Sequence, residues 1–369
     1  MEIINNILQA REEKSNIVKQ YINDYQIITL KANIVGENKN IREAYILLSY
    51  FDKFISSYCI KKIVKESYDG PYILYLCDKS KPLKQEMVLI EEKEELGRFV
   101  DIDVYYNNTI SLNRNNLRKC YLCEKEAFVC GRERNHTIDE LNNYLKNNVL
   151  LFLKNTIHQL CDEAIMTELN LHPKFGLVTP LTNGSHKDMD YNLMIKAKEA
   201  IIPYFIQMFE KTYNSNKNIK EIFENVRNIG IEAEKAMFSQ TNGINAYKGL
   251  IFALGLVVTS IAIKLSNIKS NNTIFDYIKL MTHGITQELE DGKLNKITEA
   301  YNFAVEKHKG KKRKSGEDFF DFFAFHYMLS PFDLLLNNMP PCVLLLQQFF
   351  KKSPSFILTN FLIISPWSV

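Results

Sequence analysis

The chain has 369 residues, of which 46% are hydrophobic and 24% are charged. This composition excludes wholesale disorder, provides enough apolar residues for a sizeable core, and the length allows two domains. The formal net charge of +3 is too small to indicate a nucleic-acid or membrane partner by itself, so we expect neither.

The seven cysteines and the N-terminal segment indicate the cellular compartment of the protein. Seven is an odd number, and the start MEIINNILQAREEK has a polar helical pattern instead of a secretory signal. We therefore expect reduced thiols in a cytoplasmic protein. The apolar run 249–263 falls short of the roughly 20 residues that a membrane span needs, and it predicts a buried core helix.

Up to about residue 115 the pattern mixes strands with helices. Residues 26–35, 72–77 and 98–106 are rich in β-branched and aromatic residues, which favours strands. Residues 42–58 carry apolar side chains at helical spacing. This order predicts an α+β first domain.

After His136 the pattern becomes almost entirely helical. Thr137 and Glu140 form a capping box, which predicts a helix start. The helical candidates are 138–170, 189–212, 218–239, 246–267 and 273–290. The first is too long for one globular helix, so we place the boundary near Asn147 and predict domains at 1–147 and 148–318, followed by a hydrophobic, proline-interrupted tail at 319–369.

The stretch GRFVDIDV places Asp101 and Asp103 on one face of a strand, with the intervening apolar residues facing the core. Two adjacent carboxylates repel each other unless a cation lies between them, and Mg²⁺ binds carboxylates together with phosphate oxygens. The pair therefore suits metal-assisted phosphoryl or nucleotidyl transfer, with Arg98 placed to grip a diphosphate leaving group. The alternative is an amphipathic strand with two solvated aspartates.

The stretch RKCYLCEKEAFVCGRERNH offers four ligands for a Cys₃His zinc site: Cys120, Cys123, Cys130 and His136. Their spacing matches no standard zinc finger, so three packed thiols beside a surface histidine remain the alternative. The surrounding bases suit a polyphosphate or an acidic protein partner, and they are Arg118, Lys119, Arg132 and Arg134.

Together, REEK, GRFVDIDV and RKCYLCEKEAFVCGRERNH resemble the citrate lyase holo-acyl-carrier-protein synthase family over residues 7–145. The resemblance implies a nucleotidyltransferase-like domain with a mixed sheet and helices. It further implies that a serine of the citrate lyase acyl carrier protein (gamma chain) attacks the α-phosphate of triphosphoribosyl-dephospho-CoA, and that diphosphate leaves.

Two further stretches carry polar groups at helix boundaries. The loop KFGLVTPLTNGSHKDMDYNLM places His186, Lys187, Asp188 and Asp190 before a helix, which indicates either an ordinary helix start or a metal and phosphate site. In IGIEAEKAMFSQTNGINAYKGLIFALGL, a glycine loop leads to Asn245 and Lys248 at the mouth of an apolar helix. This arrangement suits an anion, or it is a glycine stop followed by a surface lysine.

These two stretches look like the triphosphoribosyl-dephospho-CoA synthase family over about residues 150–290. The resemblance implies an all-helical enzyme that uses Mg²⁺, ATP and 3′-dephospho-CoA and releases adenine. It implies that Lys174, His186, Lys187, Asp188, Asp190, Glu234, Asn245 and Lys248 surround the triphosphate and its metal. His186 or a carboxylate such as Asp188 would take the proton from the attacking hydroxyl.

The two resemblances in series predict a bifunctional transferase that matures citrate lyase. One alternative is that only the N-terminal transferase is active, and another is a non-catalytic carrier-protein-binding module with structural zinc. The basic run 307–314 lacks interleaved aromatics and predicts a solvated loop. The synthase resemblance stops at KSGEDFF, so either a reading-frame change or a divergent hydrophobic helix pair follows. If the reading frame changes there, we expect weak or absent precursor synthesis.

Overall fold

The computed structural model describes residues 2–112, 117–172, 174 and 176–283. The chain divides into two compact units, Met1–Leu153 and Lys154–Val369, a few residues beyond the boundary that we expected at 147. The predictions for the basic run 307–314, for the tail 319–369 and for the last candidate helix beyond 283 lie outside the described residues.

The first unit combines a four-stranded sheet with helices. The strands are β1 (Gln26–Ala32), β2 (Cys59–Lys65), β3 (Tyr72–Cys77) and β4 (Val100–Tyr105). The helices are α1 (Glu2–Tyr21), α2 (Arg42–Ile55), α3 (Lys84–Lys93), α4 (Ala127–Glu133) and the first part of α5 (Ile138–Asn170). This unit confirms the α+β class of the first domain.

The sheet has the order β2-β3-β1-β4, and all three pairings are antiparallel. The mixed sheet that we expected is therefore wrong in this detail. We had no prediction for β2, because its lysines alternate poorly with apolar residues and most of its side chains are exposed at the sheet edge.

The core of the first unit lies between the sheet and its helices. Strand β3 is buried along its whole length, and β1 is buried except at Lys31. From α2, Leu47 and Phe51 are fully buried, and from α1, Val18 packs into a cluster with Leu74. Burial of these apolar side chains holds the two central strands, and with them β4, in place.

Helix α5 is continuous over 33 residues, so our argument that it was too long for one helix is wrong. Its apolar residues are buried on both sides of the division, Leu145 and Val149 in the first unit and Ile157 and Leu160 in the second. A helix that supplies core residues to two units can exceed the usual length.

The second unit is helical in its described part, which confirms the predicted class. Besides the end of α5, it contains α6 (Tyr191–Tyr213), α7 (Ile219–Gln240), α8 (Lys248–Ser266) and α9 (Ile274–Thr282). Among the described residues α8 alone is long and apolar enough to cross a membrane, and 72% of its apolar window is buried inside the protein. That burial makes α8 the core helix that the sequence predicted.

We predict that Leu74→Ala lowers the free energy of unfolding of the first unit by about 2–5 kcal/mol, because it leaves a cavity in a fully buried strand. Val64→Ala is the control, since Val64 is 61% exposed on the edge strand β2. Urea unfolding, monitored by hydrogen exchange of β3 peptides, measures the free energy of unfolding of both variants. Equal losses in the two variants would contradict the position of the core.

Candidate functional sites

A pair of carboxylates lies on strand β4. Burial alternates along the strand, so Asp101 and Asp103 share the more open face, with side chains 47% and 40% exposed. In the pairing with β1, Asp101 lies opposite Lys31 and Asp103 lies opposite Thr29. The predicted common face of the two aspartates is thus present, and Lys31 and Thr29 occupy it as well.

Arg118 ties the segment after β4 back to that strand. Its Nη1 donates to Asp101 Oδ1 at 2.6 Å and to the carbonyl oxygen of Val100 at 2.8 Å. Its Nη2 forms an ion pair with Glu91, whose Oε1 accepts a hydrogen bond from the Ile102 amide at 2.6 Å. Two carboxylates therefore already neutralise this guanidinium, which leaves it less available for phosphate than we expected.

The ionisation of Asp101 depends on its surroundings. Partial burial raises the pKa of Asp101, the Arg118 guanidinium opposes this, and the Asp103 carboxylate raises the pKa further. Repulsion between the two carboxylates falls when a cation binds between them. The pair therefore offers two carboxylates that suit a divalent metal, and the magnesium site itself stays a prediction.

Four basic side chains lie on the same side of the sheet, and we call Arg11, Lys14, Lys31 and Lys39 the cationic cluster. Three of them contact Asp69: Lys39 Nζ at 2.6 Å, Arg11 Nε at 3.2 Å, and Lys31 in a short ion pair. Lys14 Nζ lies 3.4 Å from Thr29 Oγ1 and 4.0 Å from Asp103 Oδ2. The cationic cluster thus extends from the surroundings of Asp69 to the carboxylate pair on β4.

Burial and neighbouring charges determine the protonation states of the cationic cluster and Asp69. Desolvation lowers the pKa of Lys31 to about 8, although the Asp69 carboxylate works against the change. Desolvation would raise the pKa of Asp69, but hydrogen bonds from Lys31, Lys39 and Arg11 hold it far below its usual range. Asp69 is therefore ionised at neutral pH.

The sequence motifs assigned no role to Arg11, Lys14, Lys31, Lys39 or Asp69. One signal was available, because Thr29 and Lys31 are alternate polar residues in a mostly apolar strand and therefore share a face. Asp69 and Lys39 belong to loops, and no periodic pattern places a loop residue beside a strand.

The other predicted arginines contact aromatic rings. Arg98 lies in the 3-10 turn Gly97–Phe99 just before β4, with its Cζ 5.2 Å from the ring centroid of Tyr121. It lines a pocket together with Arg118. Arg132 is exposed on α4, with its Cζ 4.0 Å from the ring centroid of Phe128.

The four predicted zinc ligands lie together. The ligand atoms of Cys120, Cys123, Cys130 and His136 are all within 4.8 Å of one another. Cys130 Sγ is 3.4 Å from Cys120 Sγ and 3.7 Å from Cys123 Sγ. Sulfur ligands at about 2.3 Å from a tetrahedral zinc are separated by about 3.8 Å, so the two Sγ–Sγ distances fit the ion closely.

The histidine of this cysteine–histidine cluster adds an independent observation. His136 Nε2 is buried and has no hydrogen-bond partner among the described residues. A buried polar atom without a partner is costly, and coordination of a metal would remove the cost. The donor set and its geometry therefore fit a structural zinc ion.

In the second unit, the predicted loop is folded against itself. Gly184 has a φ of +61°, and a Cβ there would meet the carbonyl carbon of Gly176 at 2.5 Å, so both conformation and space require glycine. Ser185 Oγ donates to Gly176 O at 2.9 Å. The close contact fixes the loop that presents the next four polar residues.

Those polar residues divide into a cap and an exposed group. Asp190 caps α6 by accepting from the Leu193 amide at 2.7 Å, which is the ordinary helix-start role. His186 Nδ1 lies 3.8 Å from Asp188 Oδ1, and Lys187 is exposed beside them. The described structure leaves Lys187 and Asp188 open to a ligand.

Three further predicted residues, Lys174, Glu234 and Lys248, take part in two largely buried ion pairs. Lys174 Nζ donates to Glu168 Oε1 at 2.9 Å and to its carbonyl oxygen at 2.7 Å. Lys248 Nζ lies 3.3 Å from Glu234 Oε2, while Asn245 Oδ1 accepts from the Lys248 amide at 3.1 Å. Lys174 and Lys248 thus already have carboxylate partners before any ligand binds.

Tyr247 adjoins both pairs. It precedes Lys248 in sequence, and burial followed by the charge of Glu168 raises its pKa well above the usual range. Its hydroxyl is buried without a hydrogen-bond partner among the described residues. No motif in the sequence selects this tyrosine.

Comparison with known families agrees with the division into two units. Residues 2–151 match the model of apo-citrate lyase phosphoribosyl-dephospho-CoA transferase, and residues 154–315 match that of ATP:dephospho-CoA triphosphoribosyl transferase.

Three curated proteins are similar to this chain. Protein CitXG of Leuconostoc mesenteroides subsp. cremoris is 33% identical over 69% of this chain and 60% of its own length. Protein CitXG of Haemophilus influenzae is 30% identical over 77% of this chain and 66% of its own length. A 2-(5''-triphosphoribosyl)-3'-dephosphocoenzyme-A synthase of Haemophilus ducreyi is 32% identical over 46% of this chain and 58% of its own. The chain thus spans less than two thirds of these relatives.

We predict that Asp69→Asn destabilises the first unit at neutral pH and that the difference from the unaltered protein shrinks in acid. The folded-state pKa of Asp69 lies below the unfolded value of about 3.9, so its contribution is present above that value and is lost as pH falls through and below it. Hydrogen exchange of β1 peptides between pH 3 and pH 7 measures this. A difference that is independent of pH would contradict the ionised cluster.

Proposed function

Because the chain joins a domain of the apo-citrate lyase phosphoribosyl-dephospho-CoA transferase family to one of the ATP:dephospho-CoA triphosphoribosyl transferase family, we propose that it matures citrate lyase in two steps. The second domain makes 2′-(5″-triphosphoribosyl)-3′-dephospho-CoA from ATP and dephospho-CoA. The first domain attaches this precursor to a serine of the citrate lyase acyl carrier protein, the gamma chain. We place both steps in the cytoplasm.

The observation that carries the attachment step is the carboxylate pair on β4 beside the cationic cluster. The serine oxygen forms a bond to the α-phosphorus, the bond from that phosphorus to the bridging oxygen breaks, and its electron pair leaves on diphosphate. The serine proton is lost to solvent. Asp101 and Asp103 face the open side of the sheet, where this displacement needs negative ligands and positive charge side by side.

Asp101 and Asp103 would hold Mg²⁺, since carboxylate oxygens are the ligands this ion prefers. When bound, Mg²⁺ shields the charge of the phosphates. Arg118 fixes the orientation of Asp101 through its hydrogen bond at 2.6 Å. Arg98 remains our candidate for a contact with the departing phosphates.

For the synthesis step, the exposed loop residues of the second domain are the best-placed groups. Lys187 suits a phosphate contact, and Asp188 beside His186 suits the acceptance of a proton from the ribose 2′-hydroxyl. The buried pairs of Lys174 with Glu168 and of Lys248 with Glu234 hold the elements around this loop.

We further propose that the cysteine–histidine cluster binds Zn²⁺ as a structural ion. The support is the sulfur spacing of 3.4 and 3.7 Å together with the buried, unpartnered Nε2 of His136. A reducing cytoplasm would keep these thiols available for metal. The ion would stiffen the segment that carries Arg118.

The test of both steps is the intact mass of apo carrier protein incubated with this protein, ATP, dephospho-CoA and Mg²⁺. A parallel reaction receives preformed precursor, and adenine release is measured in each. Attachment only with preformed precursor would leave the N-terminal transferase as the one active half. Carrier-protein binding without a mass increase in either reaction would favour the non-catalytic module.

We predict that Asp101→Asn and Asp103→Asn each lower the rate of attachment of preformed precursor at least about 100-fold, because each removes a metal ligand. Asp78→Asn is the control, since Asp78 caps a turn after β3, where its Oδ1 accepts from the Ser80 amide at 2.7 Å. Intact mass of the carrier against time gives the rates. Ordinary rates in the folded Asp101 and Asp103 variants would refute the assignment.

We predict about one equivalent of zinc per chain in the purified protein, and its loss in Cys130→Ser. Cys59→Ser, which changes a thiol outside the cluster, should keep the metal. Elemental analysis measures the zinc, and hydrogen exchange of residues 117–136 should increase on chelation. A folded, active protein without zinc would leave the cysteines as packing thiols.

A further inference from the structure

We propose that the cationic cluster of Arg11, Lys14, Lys31 and Lys39 is a polyphosphate-binding site, which receives the two phosphates that leave as diphosphate. The inference rests on the proposed attachment activity and adds to it the residues that bind the leaving group.

The cluster draws its side chains from three parts of the first unit. Arg11 and Lys14 are three residues apart on α1 and therefore share one helix face. Lys31 projects from β1, and Lys39 belongs to the connection between β1 and α2. Because the helix and the strand are held by the core, these cations are placed before a ligand arrives.

The charges in the cluster do not balance. Arg11, Lys31 and Lys39 all contact the single carboxylate of Asp69. The Arg11 side chain is 58% exposed, so water compensates its charge, whereas the side chains of Lys31 and Lys39 are only 17% and 14% exposed. One carboxylate therefore serves two poorly solvated lysines, and holding them together is costly unless an anion offsets the excess positive charge.

In an ion-pair network that only stabilises the fold, carboxylates offset each positive charge. Arg118 shows it, because the two carboxylates of Glu91 and Asp101 more than offset its one charge. The cationic cluster lacks such matching around Asp69. This contrast separates a cation used to hold the fold from cations that suit an incoming anion.

The position of the cluster beside the carboxylate pair defines the ligand class. Lys14 Nζ lies 4.0 Å from Asp103 Oδ2, and Lys31 is the direct strand neighbour of Asp101. A chain of phosphates could therefore begin at the carboxylate pair and continue over Lys14 and Lys31. When the bond to the α-phosphorus breaks, the electron pair that moves to diphosphate would be stabilised by these lysines.

The experiment is lysine footprinting of the full chain with an acetylating reagent, with and without inorganic triphosphate and Mg²⁺. Mass spectrometry should show Lys14 and Lys31 protected by triphosphate. Lys62 is the matched control, because it also pairs with a largely buried aspartate, Asp52 at 2.7 Å, but on the edge strand β2. Protection confined to lysines of the second unit would overturn the inference.

Binding measurements with variants give a second test. Lys14→Met and Lys31→Met should each weaken magnesium triphosphate binding to the first unit about tenfold or more, the loss expected for a hydrogen bond to a charged group. Lys31→Arg should recover much of the loss, and Lys62→Met should bind as the unaltered protein does. Arg11→Met should also weaken binding, and because the Arg11 side chain is 58% exposed this variant remains informative if Lys31→Met fails to fold.

Attachment of preformed precursor is measured on the same samples to separate the two proposals. Unchanged triphosphate affinity and unchanged protection in the lysine variants, with attachment intact, would refute the cluster and leave the proposed function standing. Protection of Lys14 and Lys31 without attachment by the unaltered protein would support the cluster and count against the proposed function.

Discussion

The register between β1 and β4 is the constraint on which the first site depends. It sets Asp101 against Lys31 and Asp103 against Thr29, so carboxylates and a cation share one face of the sheet. A slip of one residue would turn all these side chains toward the core. The register itself is held by the buried apolar residues that alternate with them, above all Ile28, Leu30, Ile102 and Val104. Packing in the core therefore determines the chemistry of the open face.

Arg118 extends this constraint to the segment after β4. Its hydrogen bonds to Asp101 and to the Val100 carbonyl fix one end of the segment that contains the four candidate zinc ligands. Tyr121, within the same segment, donates to the Asn33 carbonyl at 2.8 Å, and its ring lies under Arg98. Arg118 and Tyr121 thus connect the segment of the cysteine–histidine cluster to β4 and its surroundings, although the side chains of the two sites differ in chemistry.

The second unit uses its charged residues differently. Lys174 and Lys248 are neutralised by Glu168 and Glu234 inside the helical packing, and Asp190 serves as a helix cap. The exposed groups of the loop are few, and the close approach of Gly184 to Gly176 fixes how they are presented. Positioning residues and ligand-facing residues are mixed in one motif, and a motif alone does not separate them.

The sequence by itself determined the alternation that puts Asp101 and Asp103 on one face, the helical character of the described part of the second unit, and the short spacing of Cys120, Cys123, Cys130 and His136. These features depend on local periodicity or on short spacings, which the chain encodes directly. Only the tertiary structure decided that Arg118 binds Asp101 and Glu91, that α5 continues through both units, and that Lys14, Lys31 and Lys39 gather near Asp69 and the aspartate pair. These contacts join residues that are far apart in sequence, and they form only because burial of the apolar core fixes the strands and helices that carry them.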